Sequence, residues 1–229
     1  MQDQTQNPHS RKQFQIDRLA FFSDAVIAIA LTLTVLEIKI PAFGTNVTSA
    51  YVFKQYGGAM ILHGLELFVA FWTIGNLWMR HHQLFENIVD YNEKMIRVNL
   101  IFLFTVMLLP ISISFLFSRN EPYYFKMLFY FTNLFFSSAT YSLLVYVIFN
   151  PKKRLSNLTD PKRLEEVKGN PYWGSIVFLL ALILIIFNRS WFWVAFLIIP
   201  LAKIVSVIQT RKKNRKTSTI YIQNDAASK

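Results

Sequence analysis

The feature that most constrains this chain is a series of apolar runs, each long enough to cross a lipid bilayer. The first occupies residues 19–40, contains neither glycine nor proline, and is closed by Pro41. A helix needs about 20 apolar residues to span the hydrocarbon core. With 53% hydrophobic residues and only 16% charged residues, the composition is too apolar for a soluble domain of this size. The sequence therefore predicts an all-α integral membrane protein.

Five further apolar runs complete a predicted set of six transmembrane helices. They are residues 59–79, 99–117, 124–149, 172–187 and 191–208. Pro110 is expected to interrupt the third span. Residues 41–58 are predicted to form a loop, with a short interfacial helix at 50–56. The chain thus divides into an amino-terminal tail (1–17), a six-helix membrane domain (18–208) and a basic carboxy-terminal tail (209–229).

The distribution of basic residues predicts the orientation of these spans. Most of the 24 lysines and arginines lie in the two tails, the second-to-third connection and the loop at 151–171. The opposite side holds only Lys39, Lys54, Arg119, Lys126 and Arg189. Because basic residues accumulate in cytoplasmic segments, both termini are predicted to be cytoplasmic, in a multi-pass protein of the cell membrane. This bias accounts for the net charge of +11 without a nucleic-acid partner, and the basic run at 211–216 is suited to contact anionic lipid headgroups.

Several functional classes lack their signatures in the sequence. There is no cysteine, no glycine-rich phosphate loop, no His-Glu-x-x-His motif and no Gly-x-Ser-x-Gly motif. None of the 7 glycines belongs to a Thr-Val-Gly-Tyr-Gly filter, so any permeation path must be lined by side chains. We expect no cofactor, no resident metal and no enzymatic activity.

Placing an ionisable side chain inside a transmembrane span costs free energy, so such a residue indicates a specific contact with protein or water. Asp24 is six residues after Arg18, on a different face of the helix, so it needs a partner from another helix. The second span ends with Trp78, His81 and His82, at about the depth of Asp24. Two interpretations of the histidines remain open: a metal or proton site, or a structural cluster that joins the first two spans.

A second polar pair lies in the outer half of the second span. His63 and Glu66 are about one helical turn apart and are expected to pair with each other. The pair fits either a proton relay or a buried structural contact between helices.

The first span also carries a stripe of residues at spacings of three and four. The stripe consists of Phe22, Ala25, Ile29, Thr32 and Leu36, and Leu33 borders it. Such a seam either faces identical helices around an axis or forms a packing face within one subunit.

The segment Arg18-Leu-Ala-Phe-Phe22-Ser23-Asp24 has the form Arg-x-x-x-Phe-Ser-Asp, and the second span ends in Leu77-Trp78-Met-Arg-His81-His82. Both resemble the signature of the transmembrane protein 175 family of potassium channels, in its single-repeat prokaryotic form. The resemblance implies a homotetramer around a central pore lined by the first helix.

The resemblance also implies roles for individual residues. Ile29 would form the hydrophobic constriction, Thr32 a hydroxyl ring, and Leu33 and Leu36 further parts of the pore wall. A structural polar network would join residues of the first two helices, namely Arg18, Phe22, Ser23, Asp24, Trp78, and His81 or His82. The implied function is passive, potassium-preferring permeation through a hydrophobic constriction in place of a carbonyl filter, with K⁺ ions and membrane lipid as partners.

Two other functions compete with a channel. A secondary transporter, coupled to protons or cations, typically has broken helices and repeated halves, whereas the first span here is unbroken and no repeat is visible. A membrane-embedded enzyme using Glu66, His63 or His81 lacks a nucleophile paired with a base.

The predicted topology is testable by cysteine labelling, because the chain has no cysteine of its own. A cysteine introduced near Asn46 should react with a membrane-impermeant thiol reagent added outside intact cells, and one near Asn157 should not. The reverse labelling pattern would contradict cytoplasmic termini.

Overall fold

A computed structural model of the chain describes residues 8–36, 48–118, 122–150, 155–158, 163–164, 167 and 170–187. The longer helices in this part are α1 (Pro8–Leu36), α2 (Ser49–Phe85), α3 (Glu93–Met107), α4 (Leu109–Phe117), α5 (Tyr123–Ile148) and α6 (Pro171–Phe187). The predicted sixth span at 191–208 and the tail at 209–229 lie outside the described residues.

Four stretches of these helices are long and apolar enough to cross a membrane. They are Arg11–Leu36, Phe53–Phe85, Glu93–Phe117 and Tyr123–Ile148. The predicted fifth span coincides with α6, which is largely apolar but has only 17 residues. The prediction of an all-helical membrane protein is confirmed.

The first helix begins earlier than the apolar pattern indicates. Residues 8–17, predicted as a separate tail, continue α1 without a break. Two contacts secure this polar extension: Ile16 is buried, and Lys12 Nζ lies 2.8 Å from the Asp90 carboxylate in the α2–α3 loop. Donation of a hydrogen bond by Lys12 holds the pKa of Asp90 below its ordinary value.

The prediction of a separate interfacial helix at 50–56 is wrong, because α2 runs unbroken from Ser49 through Gly57 and Gly58. Glycine lowers helix propensity, but it keeps its amide N–H, so the ladder of hydrogen bonds continues. Pro110 lacks that donor, and the third span does divide beside it, into α3 and α4 on either side of Leu108. The predicted interruption is confirmed.

The core lies around α5, which packs against α3, α4 and α6. In an apolar stretch of 18 residues within α5, 61% of residues are buried, compared with 22% in the corresponding stretches of α1 and α2. Gly174 allows close approach of α6 to α5, since a Cβ at this position would lie 2.5 Å from Ser138 Oγ. The helices α1 and α2 pack against each other and leave large apolar surfaces uncovered.

The amino-terminal end of α1 and two connections meet at one end of the subunit. Lys12 contacts Asp90, and the amide of Val89 donates to the Leu155 carbonyl at 2.9 Å. Ile88 and Ser156 form an isolated antiparallel bridge. The geometry places the α1 extension, the α2–α3 loop and residues 155–158 on the same side, as the lysine and arginine pattern requires.

Burial predicts which positions of α1 stabilise the subunit. Ile27→Ala should lower the midpoint of thermal denaturation in detergent, because Ile27 is fully buried and truncation of a core isoleucine costs about 2–5 kcal/mol. Ile111→Ala is the matched control, since Ile111 is 53% exposed. Equal shifts for the two variants would contradict the described packing.

Candidate pore helix and its polar anchor

The helix α1 has one face inside the subunit and one face outside it. Ile27 and Ala30 are fully buried, and Ser23 and Thr34 are almost completely buried. At about 100° per residue these positions share one side of the helix. The stripe singled out in the sequence lies on the other side: Ile29 is 52% exposed and Leu36 is 77% exposed.

All members of the stripe are accessible in the single chain. Phe22, Ala25, Thr32 and Leu33 are exposed together with Ile29 and Leu36. The alternative that the stripe packs within one subunit is therefore wrong for the described residues. An apolar face of this length needs lipid, another subunit or a pore axis beside it.

The hydroxyl of Thr32 is held by its own helix. Thr32 Oγ1 donates to the Ile29 carbonyl at 2.9 Å, so the hydrogen points back along the helix. The oxygen lone pairs are left for another donor or a cation. Ile29 and Thr32 thus present an aliphatic group and an oxygen acceptor about one turn apart.

Asp24 obtains a partner from the neighbouring helix, as its phase relative to Arg18 predicts. Trp78 Nε1 donates to Asp24 Oδ1 at 2.9 Å. A charge-assisted bond of this kind is roughly twice as strong as a bond between neutral groups. It joins α1 to the end of α2.

A second set of hydrogen bonds passes through Asn99 of α3. Asn99 Nδ2 donates to Ser23 Oγ at 2.9 Å, and Ser23 Oγ donates to the Leu19 carbonyl at 2.9 Å. His81 Nε2 lies 2.9 Å from Asn99 Oδ1. Because the amide oxygen only accepts, His81 carries its proton on Nε2. Asn99 of α3 thus bonds to α1 through its amide nitrogen and to α2 through its amide oxygen.

Asn99 is the member of this cluster that the sequence reasoning missed. It is the first residue of the predicted third span, and nothing in its sequence surroundings indicates a partner on α1. It is a fully buried amide. A buried amide needs hydrogen-bond partners, so its position inside an apolar span was the available signal.

The two histidines are in different environments. The imidazole of His81 is 1% exposed and stacks against the rings of Phe85 and Phe102, with centroid distances of 4.2 and 5.4 Å. His82 is exposed, stacks on Trp78 and faces Glu86 at 3.4 Å. Only His81 is hydrogen-bonded to the cluster around Ser23. Among the described residues no group of three or more potential metal ligands converges.

The other two residues assigned to the polar network lie away from it. Arg18 is exposed and its guanidinium lies 5.9 Å from the centroid of the Phe14 ring. Phe22 is 50% exposed, on the outer face of α1. In the single chain, neither side chain contacts Asp24 through a described hydrogen bond or ion pair.

His63 and Glu66 form the expected pair in the outer half of α2. His63 Nδ1 lies 3.2 Å from Glu66 Oε2. Glu66 is 3% exposed, and its second oxygen, Oε1, has no partner among the described residues.

The fold and the site define a helical membrane protein. One face of its first helix packs against its own subunit, and the opposite face is exposed in the single chain. The model of a family described as "Endosomal/lysosomal potassium channel TMEM175" matches residues 18–110. This range contains most of α1, the Arg-x-x-x-Phe-Ser-Asp segment, the end of α2 and Asn99. The likeness to this potassium channel family that the sequence motifs indicate is confirmed.

Two curated relatives are similar over part of the chain. A potassium channel of Chryseobacterium sp. (strain P1-3) is 32% identical over 95 residues, which cover 42% of this chain and 45% of the relative. A potassium channel of Streptomyces collinus is 32% identical over 101 residues, which cover 41% and 43% of the two chains. The match therefore spans less than half the length of each relative.

Two solved structures have a similar fold. One is a lysosomal potassium-selective channel TMEM175 homolog from Chamaesiphon minutus, with a TM-score of 0.63, 20% identity, and coverage of 87% of this chain and 98% of that one. The other is a variant of the potassium channel MtTMEM175 in complex with a nanobody fusion protein, with a TM-score of 0.60, 19% identity, and coverage of 86% and 93%. These similarities establish the fold.

The bridging position of Asn99 predicts the effect of its replacement. Asn99→Leu should lower thermal stability in detergent, because Ser23 and His81 both lose a buried partner and each unsatisfied group costs about 1–3 kcal/mol. Asn76→Leu is the control, since among the described residues the Asn76 amide bonds to the Trp72 carbonyl of its own helix and to no other helix. Asn99 is not the anchor of α1 if the two variants have equal stability.

Proposed function

We propose that four copies of this chain form a potassium-preferring cation channel in the cell membrane, with both termini cytoplasmic and four α1 helices around the pore. K⁺ passes down its electrochemical gradient, without an enzymatic step. The family match over residues 18–110 supports a channel of this class. The likeness in fold to two potassium channel structures supports the same architecture.

The observation that carries the proposal is the division of α1 into two faces. The face with Ser23, Ile27 and Ala30 is covered by the subunit, and the face with Ile29 and Leu36 is not. A helix that lines a central pore needs this arrangement, because one side has to be held by its own subunit. The other side then remains available for the axis and the neighbouring copies.

The backbone of α1 argues for a pore lined by side chains. The helix is continuous from Pro8 to Leu36, so its carbonyls accept hydrogen bonds within the helix. They are not free to form an oxygen cage of the kind that replaces the hydration shell of an ion. Any ion that moves along this face meets side chains.

An aliphatic ring formed by Ile29 favours K⁺ through the cost of dehydration. An ion passing a narrow apolar ring has to give up part of its water, and K⁺ holds its water less tightly than Na⁺ does. The Thr32 oxygen, one turn away, offers partial compensation, since its hydrogen is bonded to the Ile29 carbonyl. Selectivity is modest, because one hydroxyl per subunit replaces only part of the lost water. Leu33 and Leu36 extend the apolar wall.

A coupled secondary transporter is the less favoured alternative. Transporters place their sites at interrupted helices near the midplane, whereas α1, the proposed pore helix, is uninterrupted. Flux that saturates with substrate and is strictly coupled to a second ion would favour the transporter.

The channel function and the constriction are tested by bilayer recording of purified protein under opposed K⁺ and Na⁺ gradients. The reversal potential should lie toward the K⁺ equilibrium potential. Ile29→Asn should raise conductance and lower the preference for K⁺, because amide groups replace methyl groups and let ions keep or replace their water. Thr32→Ala should act in the same direction with a smaller effect.

Ile101→Asn is the matched control for Ile29→Asn. Ile101 is 51% exposed, nearly the same fraction as Ile29, but it belongs to α3. It should leave selectivity unchanged. If Ile101→Asn alters selectivity while Ile29→Asn does not, the pore is not lined by the proposed face of α1.

A further inference from the structure

The outer face of α1 continues beyond the apolar stripe into the polar extension. Arg11, Arg18, Ala25 and Thr32 follow one another at intervals of seven residues, which is nearly two full turns of helix. Arg11 and Arg18 are both exposed, like the stripe members that follow them. They therefore occupy the same face as Ile29, at the amino-terminal end.

Contacts on the opposite face fix the rotation of this extension. Lys12 pairs with Asp90, and Ile16 is buried. Lys12 and Ile16 lie on the same side of the helix as the buried residues Ser23 and Ile27. The extension is thus held to its subunit by the same side as the rest of α1. Arg11 and Arg18 are turned away from the subunit.

The arginines of this face lack neutralising carboxylates within the described residues. No ion pair joins Arg11 or Arg18 to an acidic group there, whereas Lys12 has Asp90. The acidic residues of α1 are engaged elsewhere: Asp17 accepts from Gln13 and Asp24 accepts from Trp78. Within the part of the chain that the structure describes, the two guanidiniums are therefore left to solvent and mobile ions, apart from the Phe14 ring beside Arg18.

We infer that Arg11 and Arg18 form a positively charged vestibule at the amino-terminal mouth of the pore, which limits the entry of K⁺ from that side. The inference rests on the proposed tetrameric channel, in which each position would contribute four guanidiniums around the axis. At 1.5 Å per residue, Arg18 lies about 16 Å and Arg11 about 27 Å from Ile29 along the helix.

At these distances the two arginines act on the ions in the vestibule and not on the constriction. The Debye length is about 8 Å at physiological ionic strength, so their field is largely screened before it reaches Ile29. A local potential of one kT lowers the K⁺ concentration about threefold. The current carried by ions entering from the amino-terminal side is thereby reduced, and the channel rectifies without any change in its reversal potential.

The test uses the full chain in excised patches with symmetrical KCl and the amino-terminal side facing the bath. At about 20 mM KCl, where the Debye length is about 20 Å, Arg11→Gln should raise the current entering from that side by about 1.5- to 3-fold. Near 1 M KCl the effect should disappear. Lys12→Gln removes the same charge one position away, from the face that contacts Asp90, and should leave rectification as in the unaltered chain.

The salt dependence of the unaltered channel gives a second measurement that needs no variant. Its rectification should decline as the KCl concentration rises, and Arg11→Lys should preserve it. The vestibule proposal is overturned if rectification is independent of salt. It is also overturned if Arg11→Gln and Lys12→Gln give identical currents at low salt. If the vestibule proposal fails in this way but the reversal potential remains K⁺-selective, the proposed channel function stands. A reversal potential without K⁺ selectivity in the unaltered chain would refute the channel function itself.

Discussion

The amide of Asn99 holds α1 in the orientation on which the rest of the arrangement depends. One side of the amide donates to Ser23 on α1, and the other side accepts from His81 on α2. Together with the bond from Trp78 to Asp24, these contacts leave α1 a single rotational setting against its neighbours. The outward position of Ile29 and Thr32 follows from this setting, because they lie across the helix from Ser23 and Ile27.

The anchor and the outer face have different physical requirements, and both are met within one helix. The anchored face combines small and polar residues, such as Ser23, Ala30 and Thr34, which allow close helix packing and hydrogen bonds in an apolar medium. The outer face has aliphatic and aromatic side chains in its membrane-spanning part and arginines in its extension. Polarity along this face therefore changes with depth.

The part of the fold that depends on periodicity and length was predictable from the sequence. The apolar runs predicted the spans that become α1 to α5, and the proline pattern predicted the division beside Pro110. Because Asp24 and Arg18 lie on different faces of α1, the sequence predicted that Asp24 has a partner on another helix, and this partner is Trp78. The stripe was visible from spacing, but spacing did not distinguish an inner face from an outer one. Only the burial of Ile27 and Ala30 does so.

Contacts between distant segments were not predictable in the same way. The role of Asn99 depends on a pairing 76 residues apart, and that of Lys12 on one 78 residues apart. The polar extension of α1 has no apolar run to reveal it, and a glycine pair concealed the continuity of α2. In each case a tertiary contact or an intact hydrogen-bond ladder outweighs the local signal.

The break beside Pro110 divides the third span into two pieces with different hydrogen-bond partners. The piece before it carries Asn99, which holds α1, whereas the piece after it carries Ser112, which accepts from Asn133 of α5. Both pieces pack against α5 and against α1. The span is therefore tied to its neighbours at two levels, by Asn99 before the proline and by Ser112 after it.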